Sequence, residues 1–282
     1  MRLVKGLLER CVEVVELLSG SAAPMRLSDI AQALDLPKGA AHRLLHALCD
    51  HGWAEQDGTE GPYRLALRFG LLGNRVLQAS GLSDLTQPVL DRLAARTREL
   101  VRLTIATGDG LAWFGSAQGA PPGLVYQPSM GGPLLLHATA NGKAFMATMD
   151  DAAALRLARA SGFGHARPTP RTLHDDAALL AELAAVRQRG YGLSDEEAEA
   201  GVTAVAAAVL PHAASGAYPG AGSGAGSGAG SGVALGTVSI AGPSLRLPAA
   251  RLPELAAALH ETAGLLASIW PLRAIPGKAV RS

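Results

Sequence analysis

A chain of 282 residues has room for two domains of ordinary size, and 48% hydrophobic residues allow a substantial core. Its 25 Lys and Arg balance 24 Asp and Glu, so overall charge points to neither a nucleic acid nor a membrane and must be read locally. The sequence has no run of about 18 apolar residues to span a bilayer. Glu9, Glu13 and Glu16 interrupt the first apolar stretch and argue against a signal peptide, so the expectation is a soluble, cytoplasmic protein with no membrane partner.

Leu7, Leu8, Cys11, Val14, Val15 and Leu18 recur at helical spacing, with glutamates on the other side. Cys11 and Cys49 fall on apolar helix faces, away from any Cys or His at metal-ligand spacing, and read as small buried hydrophobes. After the break at Gly20–Pro24, Ser28 is placed to cap a short helix over Asp29–Leu34. The chain must then turn sharply at Asp35, which accepts the left-handed conformation better than most residues.

Pro37 suits the first position of a third helix. There Ala41, Leu44, Leu45 and Leu48 form the inward stripe, and Lys38, Gly39, Ala40, His42, Arg43 and His46 the outward face. Such a face, near the start of a helix, is what DNA-binding helices turn to base edges and phosphates. Arg43 is the best single candidate, because its planar fork reads guanine or clamps a phosphate. Two short strands around Asp57-Gly58, a hairpin-turn signal, complete the pattern of a winged helix, with the helix-turn-helix at about residues 27–48. A small three-helix bundle with a solvated basic face is the alternative; the short turn and the hairpin favour DNA. Residues 1–80 hold nine basic and nine acidic side chains, so arrangement rather than net charge must supply the binding.

Phe69–Ser80 reads as a connecting helix with Leu72, Val76 and Ala79 on one side, followed by a helix over Ser83–Arg98. Val101, Leu103 and Ile105 then alternate with Arg102, Thr104 and Ala106 in a hairpin turning at Asp109-Gly110. Further helices fall at Asn141–Met149, Asp151–Ser161, Asp175–Arg189 and Pro248–Ile269, with strands between, which fits mixed α/β with largely antiparallel pairing. Ala138, Thr139 and Ala140 lead into the helix near Asn141, whose start either receives an anion such as a carboxylate or is simply capped beside a core strand. The run Asp195, Glu196, Glu197, Glu199 reads as a solvated turn rather than acid–base machinery. His137, His174 and His212 are scattered, and no nucleophile, metal or cofactor motif is present. Ala221–Gly232 is a threefold Ala-Gly-Ser-Gly repeat, expected to be a flexible loop.

The stretch "LSDIAQALDLPKGAAHRLLHALCDHGWAEQ" resembles the DNA-binding domain of IclR-type bacterial transcriptional regulators. The similarity continues through "GPLLLHATANGKAF", "LLAELAAVRQRGYGLSDEEAEAGVTAVAAAV" and "VSIAGPSLRL", in the family's order, over about residues 4 to 270. The resemblance implies an α+β chain: an N-terminal winged helix-turn-helix joined by a linker helix to a GAF-like α/β effector-binding domain. The corresponding boundaries are 1–68 for the winged helix, 69–83 for the linker helix and 84–270 for the effector domain, with a Gly/Ala/Ser-rich loop at 215–232 and a tail at 271–282.

The resemblance also implies a non-enzymatic repressor or activator that binds double-stranded operator DNA, works as a homodimer or homotetramer, needs no cofactor and answers to a small-molecule effector; the start of the Asn141 helix, with only Lys143 close by, makes that effector a small carboxylate or a weakly polar molecule rather than a multiply charged phosphate. Carried over residue by residue, the effector pocket comprises Ala140, Asn141, Ser194, Ala204, Ser239 and Ala241, with Gly123 and Tyr126 on a pocket-lining strand. Gly39-Ala40 stand where the family often has Ser-Thr, Ser194 where Asp is common, Ala204 where Cys is common and Ala241 where a second Ser is common. The competing reading is a ligand-binding or catalytic α/β domain whose winged helix mediates protein contacts. A gel shift against the protein's own upstream DNA separates the two.

Overall fold

The structure is a computed structural model that describes residues 6–21, 23–108, 110–128, 134–211 and 233–270. The chain divides at Ser80/Gly81 into two compact units. The tract Ala221–Gly232 with the loop 215–232, the tail 271–282, His212 and Asp109 lie outside the described residues.

In the first unit, α1 (Leu7–Ser19), α2 (Leu27–Ala33) and α3 (Lys38–Asp50) enclose a small core. Val14, Leu18, Ile30, Leu44, Leu45 and Tyr63 fill it, with Cys11, Leu48 and Cys49 packed at its edge. The apolar face of α1 is shorter than its periodicity suggests, since Leu7 and Leu8 are exposed. α2 begins at Leu27 with Arg26 as its cap. Ser28 therefore lies inside the first turn and does not cap it; its hydroxyl donates to Asp29 Oδ1 at 3.0 Å. Asp35 takes a left-handed φ of 50°, as the tight turn before α3 requires.

β1 (Ala54–Gln56) and β2 (Tyr63–Leu65) pair antiparallel as the wing. Their connection, Asp57–Pro62, is longer than a two-residue hairpin turn and is closed by Asp57 N–H donating to Pro62 O at 3.0 Å. Gly61 has no alternative there: a Cβ would lie 1.8 Å from Asp57 O. Helix α4 (Arg68–Ser80) follows, with Leu71, Leu72, Val76 and Leu77 exposed.

The second unit begins with α5 (Leu82–Thr97), after Gly81 at φ 65°. Strands β3 (Leu100–Thr107), β4 (Gly110–Gln118), β5 (Gly192–Asp195), β6 (Val202–Val209) and β7 (Gly236–Pro243) form a five-stranded sheet in the order β4-β3-β7-β6-β5, antiparallel throughout. The remaining helices are α6 (Ala140–Met146), α7 (Asp151–Ala160), α8 (Asp176–Arg189) and α9 (Leu252–Ile269).

Strand alternation gives this sheet two different faces. Val101, Leu103, Val205, Ala207, Val209, Val238 and Ile240 point to one side and pack against Leu90 and Leu93 of α5 and Leu255, Leu259 and Leu266 of α9. The register places Arg102, Thr104, Thr237, Ser239, Ala241, Ala204, Ala206 and Ser194 on the other side. Small residues let α6 lie directly on that second face, where Ala140 and Ala144 pack against Ala204 and Ala206. Gly192 marks the closest approach, since a Cβ there would sit 2.3 Å from Ala140 O.

Candidate DNA-binding face and effector site

On α3 the inward stripe is Ala41, Leu44 and Leu45, all buried, with Leu48 half-buried. Lys38, Gly39, His42, Arg43 and His46 are exposed and Ala40 is half-buried, so helical periodicity alone separates the two faces. The His42 and His46 rings lie 6.0 Å apart, and His46 Nδ1 meets Asp50 Oδ2 at 2.8 Å. Lys38 borders a cleft of about 450 Å³ with Arg26 and Ser28 of the α2 start and Glu60 and Gly61 of the wing connection. The outward face thus offers cations at the helix start and imidazoles one turn on.

The second candidate site lies on the polar face of the large sheet. Asn141 is buried, and its Nδ2 donates to Thr237 Oγ1 at 2.8 Å; Thr237 and Thr104 share a hydroxyl hydrogen bond of 2.6 Å. Ser239 is buried one residue pair further along β7, opposite Arg102, with its hydroxyl 3.4 Å from Arg102 O. Ala204 and Ala241 face each other across β6 and β7, and Ser194 stands opposite Ala204. The Ser194 hydroxyl donates to Ala138 O at 2.7 Å and so ties β5 to the segment that enters α6. Six of the eight residues expected in the pocket therefore share one face of the sheet or the helix that covers it.

The other two differ from expectation. Gly123 and Tyr126 lie on an irregular segment after β4, not on a strand. Gly123 is exposed with φ 122°. Tyr126 donates its hydroxyl to Glu199 Oε2 at 3.0 Å; burial, reinforced by that carboxylate, pushes the phenol pKa up. Tyr126 borders a cleft of about 400 Å³ together with Leu124, Glu196, Val202 and Pro243.

The start of α6 is also less open than its sequence suggests. Thr139 caps it, its hydroxyl accepting from Gly142 N–H at 3.2 Å, and the helix has only seven residues. Lys143 turns away from the polar face: its Nζ is buried, 2.5 Å from Glu197 Oε1, 3.4 Å from Glu182 Oε1 and 2.8 Å from Leu193 O. Glu197 is accordingly not part of a solvated turn. Burial raises its carboxyl pKa, and the Lys143 ammonium works in the opposite direction.

The cation on the polar face is Arg102, which sequence reasoning missed. Its side chain is buried, and the guanidinium lies over the Trp113 ring at 3.2 Å from the centroid. Burial lowers its pKa to about 10, so it remains charged at neutral pH. A polar residue alternating with Val101 and Leu103 reads as solvent-facing; only long-range pairing shows that this face is covered.

A winged helix carrying an exposed cationic recognition helix, followed by an α/β sensor domain with a polar interior face, defines a ligand-responsive DNA-binding regulator. Residues 7–58 match the family described as IclR helix-turn-helix domain, and residues 74–218 match Bacterial transcriptional regulator IclR C-terminal. The transcriptional regulator XynR of Escherichia coli strain K12 is 31% identical over 204 residues, covering 72% of this chain and 80% of the relative. BhcR of Paracoccus denitrificans is 30% identical over 259 residues, 91% of this chain and 84% of the relative. Among solved structures, an IclR homologue of Microbacterium hydrocarbonoxydans complexed with 4-hydroxybenzoate superposes with a TM-score of 0.66 at 23% identity, over 93% of this chain and 98% of that one. The chain belongs to the IclR family of bacterial transcriptional regulators, a family of DNA-binding proteins with an effector-binding C-terminal domain rather than of enzymes. Among the described residues no helix is long and apolar enough to cross a membrane.

Proposed function

We propose that this regulator binds its operator through the outward face of α3 and releases or tightens on it when a small organic acid occupies the polar sheet face. The observation that carries the DNA half is the clean division of α3, with Lys38, His42, Arg43 and His46 exposed opposite the buried Ala41, Leu44 and Leu45. Gly39 and Ala40 allow close approach without contributing side-chain contacts, so base reading falls to Arg43 and His46 and phosphate binding to Lys38 and His42.

For the effector half, Asn141 and Ser239 supply hydrogen bonds, while Ala140, Ala204 and Ala241 are the small residues beside them, Ala140 and Ala204 packed together where α6 meets the sheet. Ser194 belongs to the wall that holds α6, and Tyr126 and Gly123 to the rim. That a solved relative of the same fold carries 4-hydroxybenzoate supports an organic acid as the class of ligand. Balanced charge in the first 80 residues makes a single domain a weak DNA binder, so two copies acting together are needed. The exposed Leu71, Leu72, Val76 and Leu77 of α4 are the apolar surface that supports a homodimer, and a homotetramer by pairing of dimers.

Gel shift against the chain's own upstream DNA, with a scrambled duplex as competitor and a salt series, tests the reading. Specific retardation that weakens with salt is expected. Retardation equal on both duplexes would reject the operator assignment.

A further inference from the structure

The wing of the first unit has the wrong sign for DNA. Over residues 54–65 its one cation is Arg64, which is paired with Glu55 at 2.9 Å. Asp57 and Glu60, on the connection between β1 and β2, are exposed and make no ion pair among the described residues. A backbone phosphate within a Debye length of the wing tip, about 10 Å at 0.1 M salt, is therefore repelled unless a cation stands between them.

Two cations stand there. Arg26 and Lys38 rim a cleft of about 450 Å³ whose opposite side is Glu60, Gly61 and Pro62. Both are exposed, and neither makes an ion pair among the described residues. They come from different elements: Arg26 is the residue that caps α2, and Lys38 is the first residue of α3. The backbone fixes both places. Met25 and Tyr63 of β2 exchange hydrogen bonds of 2.8 and 2.7 Å, which ties the chain at Arg26 to the wing. Leu36 N–H donates to Ala31 O at 2.8 Å and closes the turn before Lys38. Ser28 adds no donor to the cleft, since its hydroxyl is given to Asp29. Lys38 opens the helix whose next turn carries His42 and Arg43, so the cleft is continuous with the outward face of α3.

Resting on the reading of α3 as the DNA-contacting helix, we infer that this cleft holds a stretch of the DNA phosphodiester backbone between Arg26 and Lys38, and that Glu60 opposes it from the wing. Arg26 is then a positioning residue, which fixes the register of the domain on the duplex and carries no base information. Glu60 acts as a brake of the opposite sign. It lowers affinity for every sequence alike, and so leaves discrimination to the side chains of α3 that reach base edges. The wing of this chain is a repulsive rim beside the backbone rather than a second DNA-gripping element.

Gel shift of the full-length chain over a salt series, on its own upstream DNA and on a scrambled duplex, tests this. Arg26→Gln should weaken binding to both duplexes by the same factor, about threefold or more, and lower the slope of log affinity against log salt by about 1 per protomer. Arg26→Lys, which keeps the charge, should restore the slope. Arg75→Gln, at an exposed arginine of α4 that does not line the cleft, should leave it unchanged. Glu60→Gln should tighten binding to both duplexes by about two- to fivefold. An unchanged slope for Arg26→Gln, an equal fall for Arg75→Gln, a loss confined to the upstream DNA, or no tightening by Glu60→Gln overturns the inference. The two readings fail separately. Equal retardation of both duplexes by the unaltered chain rejects the operator assignment, while the effect of Arg26→Gln on the slope is still read on either duplex; a chain that retards neither duplex at any salt rejects both.

Discussion

The outward face of α3 and the polar face of the large sheet both present arginine, yet they obey different physics. Arg43 stands in water on a helix whose inner side is buried, so its surroundings follow from residues within two turns of it. Arg102 is buried on the sheet face opposite α5 and α9, and its surroundings come from β4, β7 and Tyr126, brought together only by folding. In the first region a charge is cheap and its value lies in what it can reach. In the second a charge is costly unless something answers it, so every charged group there has a defined environment.

The largest effect that this contrast predicts concerns the other buried cation. Lys143→Met should leave the Glu197 carboxylate buried without its partner and cost about 3–5 kcal/mol, as for other broken buried pairs. Adding Glu197→Gln should recover much of the loss, because it removes the orphaned charge. Thermal or urea unfolding of the two variants decides it. A single variant as stable as the unaltered chain would mean that the pair is hydrated and the region is not the low-dielectric interior described.

On α3 two neighbouring substitutions should separate cleanly. Leu45→Ala opens a cavity in the small core and should cost about 2–5 kcal/mol of stability. Arg43→Ala should leave stability unchanged and weaken specific operator binding by about 1–3 kcal/mol. Equal melting temperatures for Leu45→Ala and the unaltered chain would reverse the assignment of faces. Unchanged operator affinity for Arg43→Ala would take Arg43 out of the interface.

Much of the winged helix was legible in the sequence because its signals are local. Ala41, Leu44 and Leu45 repeat at the helical period, and Asp35 falls where only a residue tolerant of positive φ fits. The antiparallel strands of the second unit were legible as alternation. What alternation does not carry is which side is wet. Arg102 and Thr104 looked like a solvent face because their cover lies elsewhere in the chain: Trp113 of β4 lies against Arg102, and Asn141 of α6 reaches Thr237 beside Thr104. The fate of Lys143 was hidden for the same reason, since Glu197 is 54 residues away. Ser28 misled through a rule that is correct in itself: it is a good cap, but α2 starts one residue before it.

A smaller effect comes from His137, which is buried in the second unit against the Phe163 ring. Its Nε2 meets Ala166 O at 3.0 Å, and its Nδ1 has no hydrogen-bond partner among the described residues. Burial lowers its pKa below the ordinary 6.5, so the folded chain holds the neutral ring. As pH falls below 6.5 the unfolded chain takes up the proton first, and stability present above that pH is progressively lost. The melting temperature should therefore drop between pH 7 and 5, and His137→Phe should flatten that slope even if it lowers stability at pH 7 through the lost hydrogen bond. An unchanged slope would assign the acid sensitivity to other groups.

The smallest effect sharpens the division within the sheet face itself. Ser194 is a pocket residue by resemblance, yet its hydroxyl is buried and donates to Ala138 O, where it fastens the entry to α6 onto β5. Ser194→Ala removes one neutral hydrogen bond and leaves the Ala138 carbonyl short of its donor, a cost of about 0.5–1.5 kcal/mol. The methyl fits where the hydroxyl was, so no cavity adds to that figure. If the serine is structural, the variant should melt slightly lower while its affinity for whichever organic acid the unaltered chain binds stays within about twofold. If the hydroxyl instead serves the ligand, affinity should fall by much more than twofold at a nearly constant melting temperature. The effector would then reach past β6 to the edge strand, two strand spacings of about 4.8 Å further than a ligand held at Asn141 and Ser239. Calorimetry and a melting curve on one variant thus measure how far across the sheet the ligand extends.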